Sequence, residues 1–194
     1  MAANDLRALT RSQLGGLDEL VAAQAGTIDI RVVEPLHVVS IRMLPGGADA
    51  VARAAAAIGL DALPGAGGFT GTTARLLWRN PTELLLFTPD RGIADAALHA
   101  LAAAPDALAV AVDQSDGLVT LALHGAALDA VLHRLVDAAV PLAPGQGTRA
   151  RLADIAVIAM RLDAERAWLV ADRANDRYLT QWVAYAADAV SCTS

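Results

Sequence analysis

The stretch VDQSDGLVTLALHG, residues 112–125, holds Asp113, Ser115, Asp116 and His124. A serine, a histidine and two carboxylates are the parts of a hydrolytic triad. There the histidine takes the serine proton and a carboxylate orients the imidazole. Such chemistry needs the groups within hydrogen-bond reach of one another. Ser115-Asp116-Gly117 is also a turn signal, since Asp bonds nearby backbone and Gly accepts positive φ. LVTLAL then reads as a strand ending at His124-Gly125. A turn serine and a strand-end histidine stand at opposite ends of that strand, roughly 25 Å apart at ~3.3 Å per residue. The stretch is therefore read as a polar joint between two strands.

GAGGFTG, residues 65–71, is Gly-rich. It lacks the Gly-x-Gly-x-x-Gly spacing that opens a helix, and no Lys-Ser/Thr follows, so a flexible connector is expected. The four histidines, at 37, 99, 124 and 133, occur singly, without the spacing of a metal site. Cys192 has no partner for a disulfide or a thiolate zinc site. No catalytic, cofactor-binding or metal residue is assigned to this chain.

Partner-binding residues are better candidates. Trp78, Trp168, Trp182 and Tyr185 are the large aromatics of a chain with only 4% aromatic residues. Trp182 and Tyr185 are three apart on the closing helix, hence on one face. Core packing is the plain reading for all four. The sharper one is a partner anchor, because Trp, Tyr and Arg dominate interface hot spots. Arg75, Arg149 and Arg151 alternate on strands, where they are solvated edges or partners for a neighbour's carboxylates. Trp78, Arg151, Trp182 and Tyr185 are taken as the candidate interface.

These side chains must be positioned by a scaffold of small apolar residues. Of 194 residues 55% are hydrophobic, much of that Ala. The length suits one large domain or two small ones. All 15 basic residues are Arg, they are scattered, and the net charge is −6. No basic stripe exists, which excludes an electrostatic nucleic-acid footprint. No apolar run reaches the roughly 18–20 residues of a spanning helix. The N-terminus has no apolar signal core, so a cytoplasmic protein is expected.

Residues 1–26 read as an N-terminal arm. TIDIRVVE and LHVVSIRML follow as strands, GADAVARAAAAIG as an Ala-driven helix, and TTARLLWR and TELLLFT as a hairpin across Asn80-Pro81. GIADAALHALAAA is a helix and ALAVAVD a strand. The order is the β-α-β-β-α-β of a ferredoxin-like module. It then begins again: strand DGLVTLALH, helix AALDAVLHRLVDAA, strands TRARLADI, AVIAMRL and ERAWLVA, and a closing helix NDRYLTQWVAYAADAV with Asn175 as its N-cap. VVSIRM parallels LVTLAL, and LPGAGG parallels APGQGT, with both Val39–Val119 and Pro64–Pro144 separated by 80 positions. The expected fold is α+β: two repeated βαββ modules, 27–113 and 114–194, with antiparallel sheets and helices on one face of each.

The stretch from Val112 to Leu162 also resembles the core of the gamma subunit of heterotetrameric sarcosine oxidase. The shared features are an Asp-x-Ser-Asp-Gly turn leading into a strand and helix, then a Pro-Leu segment, a Pro-Gly turn and an Arg/Leu-rich strand. LLWRNPTELLLFTP is similar to that family's Trp-x-x-Pro-x-Glu-x-Leu-Leu hairpin, and RANDRYLTQWVAYAADA to its closing helix. The resemblance covers roughly residues 30–190. One departure is Val140, where many members carry Cys before the Pro-Leu pair.

The resemblance implies a folate-binding aminomethyltransferase-like fold. It also implies a place beside alpha, beta and delta subunits in an enzyme that oxidatively demethylates sarcosine. FAD, covalent FMN and NAD would sit on alpha and beta, zinc on delta, and tetrahydrofolate on alpha. This chain would support assembly without an active site of its own. The alternative is a stand-alone folate-binding or aminomethyl-transfer protein.

Overall fold

The computed structural model describes residues 28–104, 108–136 and 142–191. The N-terminal arm expected over 1–26 lies outside them, as does Cys192. Ten strands and four α-helices form in chain order among the described residues. The first half gives β1 (Asp29–Val32), β2 (His37–Met43), α1 (Ala48–Ala57), β3 (Phe69–Thr70), β4 (Arg75–Asn80), β5 (Glu83–Thr88), α2 (Arg91–Ala102) and β6 (Ala109–Asp113). The second half gives β7 (Leu118–His124), α3 (Leu128–Leu135), β8 (Gly147–Leu152), β9 (Ile155–Arg161), β10 (Arg166–Asp172) and α4 (Asp176–Ser191).

Local chemistry sets the element ends. The β4–β5 hairpin turns where Asn80 Oδ1 accepts from Thr82 N at 2.9 Å, so the side chain mimics a backbone turn. Asp90 Oδ1 accepts from Gly92 N at 2.7 Å and caps α2. The closing helix is entered differently from the expectation. A 3-10 turn over Arg173–Asn175 already carries the chain into it, and the carboxylate of Asp176 accepts from Arg177 N, so Asn175 is not the cap. Helix α3 stops at Leu135, short of the AALDAVLHRLVDAA stretch that was expected to be helical, because Val136 has turned extended.

The strands form two five-stranded antiparallel sheets. One has the order β6-β2-β5-β4-β3 and the other β1-β7-β10-β9-β8. The linear order had placed β1 in the first module. The structure pairs it with β7 instead, Asp29 opposite His124 and Val32 opposite Leu121. Residues 33–36 make the crossing, with a hydrogen bond from Val33 N to Thr120 O at 2.9 Å. Sequence periodicity reports which residues alternate, not which strand lies alongside, so this exchange left no local signal.

Three cores hold four layers together. Helices α1 and α2 put Ala50, Val51, Ala54, Ala94, Ala97 and Leu101 against Val39, Ile41, Leu76, Leu84 and Leu86 of the first sheet. Helices α3 and α4 put Leu128, Val131, Leu179 and Val183 against Leu121, Leu123, Val157 and Leu169 of the second. The opposite faces of the two sheets meet each other. There Val38, Leu77, Leu85 and Phe87 pack on Ile158, Met160, Trp168 and Val170. Phe87 meets Trp168 edge-on, ring centroids 6.2 Å apart. Each fully buried Leu, Val or Phe contributes about 1.5–3 kcal/mol, so this inter-sheet cluster is a substantial bond between the halves. Strand β5 is buried along its whole length because it is covered on both sides.

Candidate functional site

Asp113–Leu118 is a hydrogen-bonded joint. Ser115 Oγ accepts from Val38 N at 3.0 Å and donates to Asp113 Oδ1, which also accepts from Ser115 N at 2.9 Å. Arg91 Nη1 reaches Asp113 Oδ2 at 2.9 Å from the first sheet's side. Arg173 clasps the other end, donating from Nε to Asp116 O at 2.9 Å and from Nη2 to Leu118 O at 2.8 Å. Partial burial raises the Asp113 pKa, but bonds from the Ser115 hydroxyl and amide and the Arg91 charge outweigh it and hold the carboxyl below its usual value. His124 is seven strand residues away at the far end of β7, where Nε2 lies 3.9 Å from Glu165. Serine, carboxylate and imidazole therefore do not converge, and the bonds of Asp113, Ser115 and Arg173 tie segment to segment.

The Gly-rich stretch is likewise built into the frame. Gly68 N donates to Gly65 O, Phe69 N to Gly145 O and Gly147 N to Gly67 O. The two Pro-Gly loops thus bond to each other across the sheet junction, with Gly68 bridged to Gln146. Amides already given to carbonyls cannot cradle a phosphate. The expected flexible connector is an ordered seam. Gly147 is required there: a Cβ would stand 2.4 Å from Leu77 Cδ1 and 3.2 Å from Met160 Cγ, both in the packed inter-sheet core.

Two buried charge clusters are also internal. Glu83, on β5, accepts from Ser40 Oγ at 2.7 Å and from Arg79 Nη1 at 2.9 Å, with Arg42 Nε at 3.7 Å. Burial raises the Glu83 pKa, but the Ser40 hydroxyl and the two guanidiniums outweigh it, for a net fall. Arg161 is buried and spends its fork on Asp129 Oδ1 at 2.6 Å, Asp163 O and Ala164 O. Among the described residues no group of three or more His, Cys, Asp and Glu side chains could hold a metal.

The four interface candidates separate in space. Trp78 is half-buried and packs on the helix-side core of the first sheet. Arg151 is exposed on β8, donating to Ala153 O at 3.1 Å with Asp154 at 3.7 Å. Trp182 and Tyr185 come together on the outer face of α4, 38% and 66% exposed, with ring centroids 5.9 Å apart. Tyr178, not singled out from the sequence, extends them into a ridge, 6.2 Å from Trp182. Its position four residues before Trp182 was the available signal. Leu179, Val183, Ala187 and Val190 occupy the opposite, buried face. The ridge is edge-on and tilted aromatic surface with polar tips, the composition of an interface hot spot. Trp168 is core, with Arg75 lying 4.8 Å over its ring.

No family model matches the sequence, and no curated protein matches it. Solved structures do. A chain of heterotetrameric sarcosine oxidase from Corynebacterium sp. U-96, solved in complex with pyrrole 2-carboxylate, superposes with a TM-score of 0.76 at 23% identity. That match covers 89% of this chain and 93% of the other. Glycine cleavage system aminomethyltransferase T from Bartonella henselae superposes with a TM-score of 0.57 at 17% identity, over 85% of this chain and 47% of that one. The chain therefore has the fold these two share, and spans about half the length of the aminomethyltransferase. No helix among the described residues is long and apolar enough to cross a membrane.

Proposed function

We propose that this chain is an assembly subunit of a sarcosine-oxidase-type flavoenzyme, corresponding to the gamma subunit, with alpha, beta and delta chains as its partners. The observation that carries the reading is the end-to-end match. A chain of a heterotetrameric oxidase is covered over 93% of its length, whereas the aminomethyltransferase is covered over only 47%. The ridge of Tyr178, Trp182 and Tyr185 supports it, as does the spending of Ser115, Glu83 and Arg161 on internal bonds. On this reading FAD, FMN, NAD, tetrahydrofolate and zinc belong to the partner chains, and the complex is cytoplasmic. We further infer that the two halves are repeats. Each sheet sets its first long strand, β2 or β7, between an edge strand and the strand before a helix, and the two Pro-Gly loops meet across the seam.

Co-expression with candidate alpha, beta and delta chains tests the proposal. The chain is expected to co-purify with them, and its omission to lower the yield of assembled flavoenzyme. Full assembly and activity without it, and no co-purification, would overturn the reading. Similarity to aminomethyltransferase T supports a second reading, a folate-binding protein acting alone. Calorimetry of the purified chain with tetrahydrofolate separates the two, since only the second expects heat.

A further inference from the structure

Four arginines are buried or half-buried among the described residues: Arg75, Arg79, Arg161 and Arg173. Three of them spend their guanidiniums inside the molecule. Arg79 holds Glu83, Arg161 holds Asp129 and the carbonyls of Asp163 and Ala164, and Arg173 holds those of Asp116 and Leu118. Arg75 does not. Among the described residues it makes no hydrogen bond and no ion pair. Its contact is with the ring of Trp168, whose centroid lies 4.8 Å from Cζ.

The strands account for both the contact and the missing counter-charge. Arg75 opens β4 opposite Phe87, on the face that meets the second sheet. Phe87 meets Trp168 edge-on there, and Arg75 covers the ring. Two residues before Trp168, on the same face of β10, stands Arg166, opposite His124 of β7. Arg166 is already matched to Asp163 at 2.5 Å. Asp163 thus offsets one guanidinium charge and leaves the other unmet. Burial, and after it the like charge of Arg166, hold the Arg75 pKa below its ordinary value. The cation is held where it is less stable than in water, with no hydrogen bond in return. Its nitrogens are not sealed, for His37 Nδ1 is the buried side-chain atom left without a partner among the described residues.

We propose that Arg75 anchors a binding site for a small organic carboxylate at the rim between the two sheets, with Arg166 alongside. A guanidinium presents five N–H donors in a planar fork that matches two carboxylate oxygens. Trp168, itself 9% exposed, fixes the fork beforehand, so little side-chain freedom is lost on binding. One unmet positive charge calls for a monoanion. The neighbours limit its size. Asp163 and Glu165 present carboxylates to solvent on the adjoining β9–β10 turn. An acidic protein surface laid over the rim would meet both, whereas a small acid need meet only the guanidiniums. The inference is independent of the proposed subunit role.

Titration of the full purified chain with sodium acetate tests it, followed by NMR of the arginine Nε–H groups at ionic strength held constant with chloride. The Arg75 signal should shift and saturate with a midpoint of about 10 mM, and the Trp168 indole signal should move with it. Arg75→Gln should abolish the Trp168 response. Arg75→Lys, which keeps the charge but not the fork, should raise the midpoint about tenfold. Arg53→Gln, exposed on α1, should leave it unchanged. The unaltered chain decides the matter even if Arg75→Gln does not fold. No saturation by acetate up to about 100 mM, or an equal shift with chloride alone, would overturn the proposal. So would tighter binding of inorganic phosphate than of acetate. A chain that ignores acetate, yet loses its partner chains in Arg75→Gln, would give the guanidinium to a protein contact and overturn it too.

Discussion

Glu83 shows how a buried charge serves the fold. Its carboxylate is nearly sealed from water, with Ser40 and Arg79 directly on it. Removing the carboxylate strands the buried Ser40 hydroxyl, while Arg79 and Arg42 keep contact with water, at a cost of about 1–3 kcal/mol. Glu83→Ala is therefore expected to lower stability by about that amount in urea titrations, and Glu83→Gln by less. The pH dependence follows from the lowered pKa of Glu83. Its contribution is fully present above the unfolded carboxyl value, about 4.3. It is lost as pH falls through the lower folded value. Unfolding midpoints measured from neutral to acid pH should fall less steeply for Glu83→Gln than for the parent chain.

Helix α4 divides its residues by face. The buried side is aliphatic, and the outer side carries Tyr178, Trp182 and Tyr185 at spacings of four and three. Trp182→Ala with Tyr185→Ala should cost the isolated chain about 1 kcal/mol or less, because exposed side chains contribute little to folding. If the ridge anchors a partner, the same pair should weaken co-purification roughly 30-fold, the effect of losing about 2 kcal/mol of binding. Equal losses in stability and association would assign the ridge to folding alone. The ridge was readable in the sequence because helical spacing projects directly onto a face. The exposed face of β6 was not: Ala109–Val112 is apolar throughout, and only the neighbours show which of its residues are covered. The LLLF run of β5 did carry an unused sign of two-sided burial, since a half-exposed strand would alternate.

The molecule's two sheets are coupled by three separate means. The inter-sheet cluster around Phe87 and Trp168 joins their faces, the Pro-Gly seam joins their ends, and β1 lies in the sheet made otherwise by the second half. Unfolding by calorimetry should therefore give one transition, with calorimetric and van't Hoff enthalpies equal. Two resolved transitions would show that the halves melt independently. Local elements were legible in the sequence because propensity, caps and turns act within a few residues. The exchange of β1 depends on contacts far apart in the chain and had no comparable trace, and the stacking of sheet on sheet showed only in the unbroken apolar run of β5.

Strand β1 also has a history during synthesis. It leaves the ribosome before its partner strand, which is finished only when His124, opposite Asp29, has been added. At about 5–20 residues per second the nascent chain carries that segment unpaired for roughly 5–20 s. Its Asp29–Arg31 charges, which guard an edge in the finished protein, also keep the waiting strand from recruiting a neighbour on the same messenger.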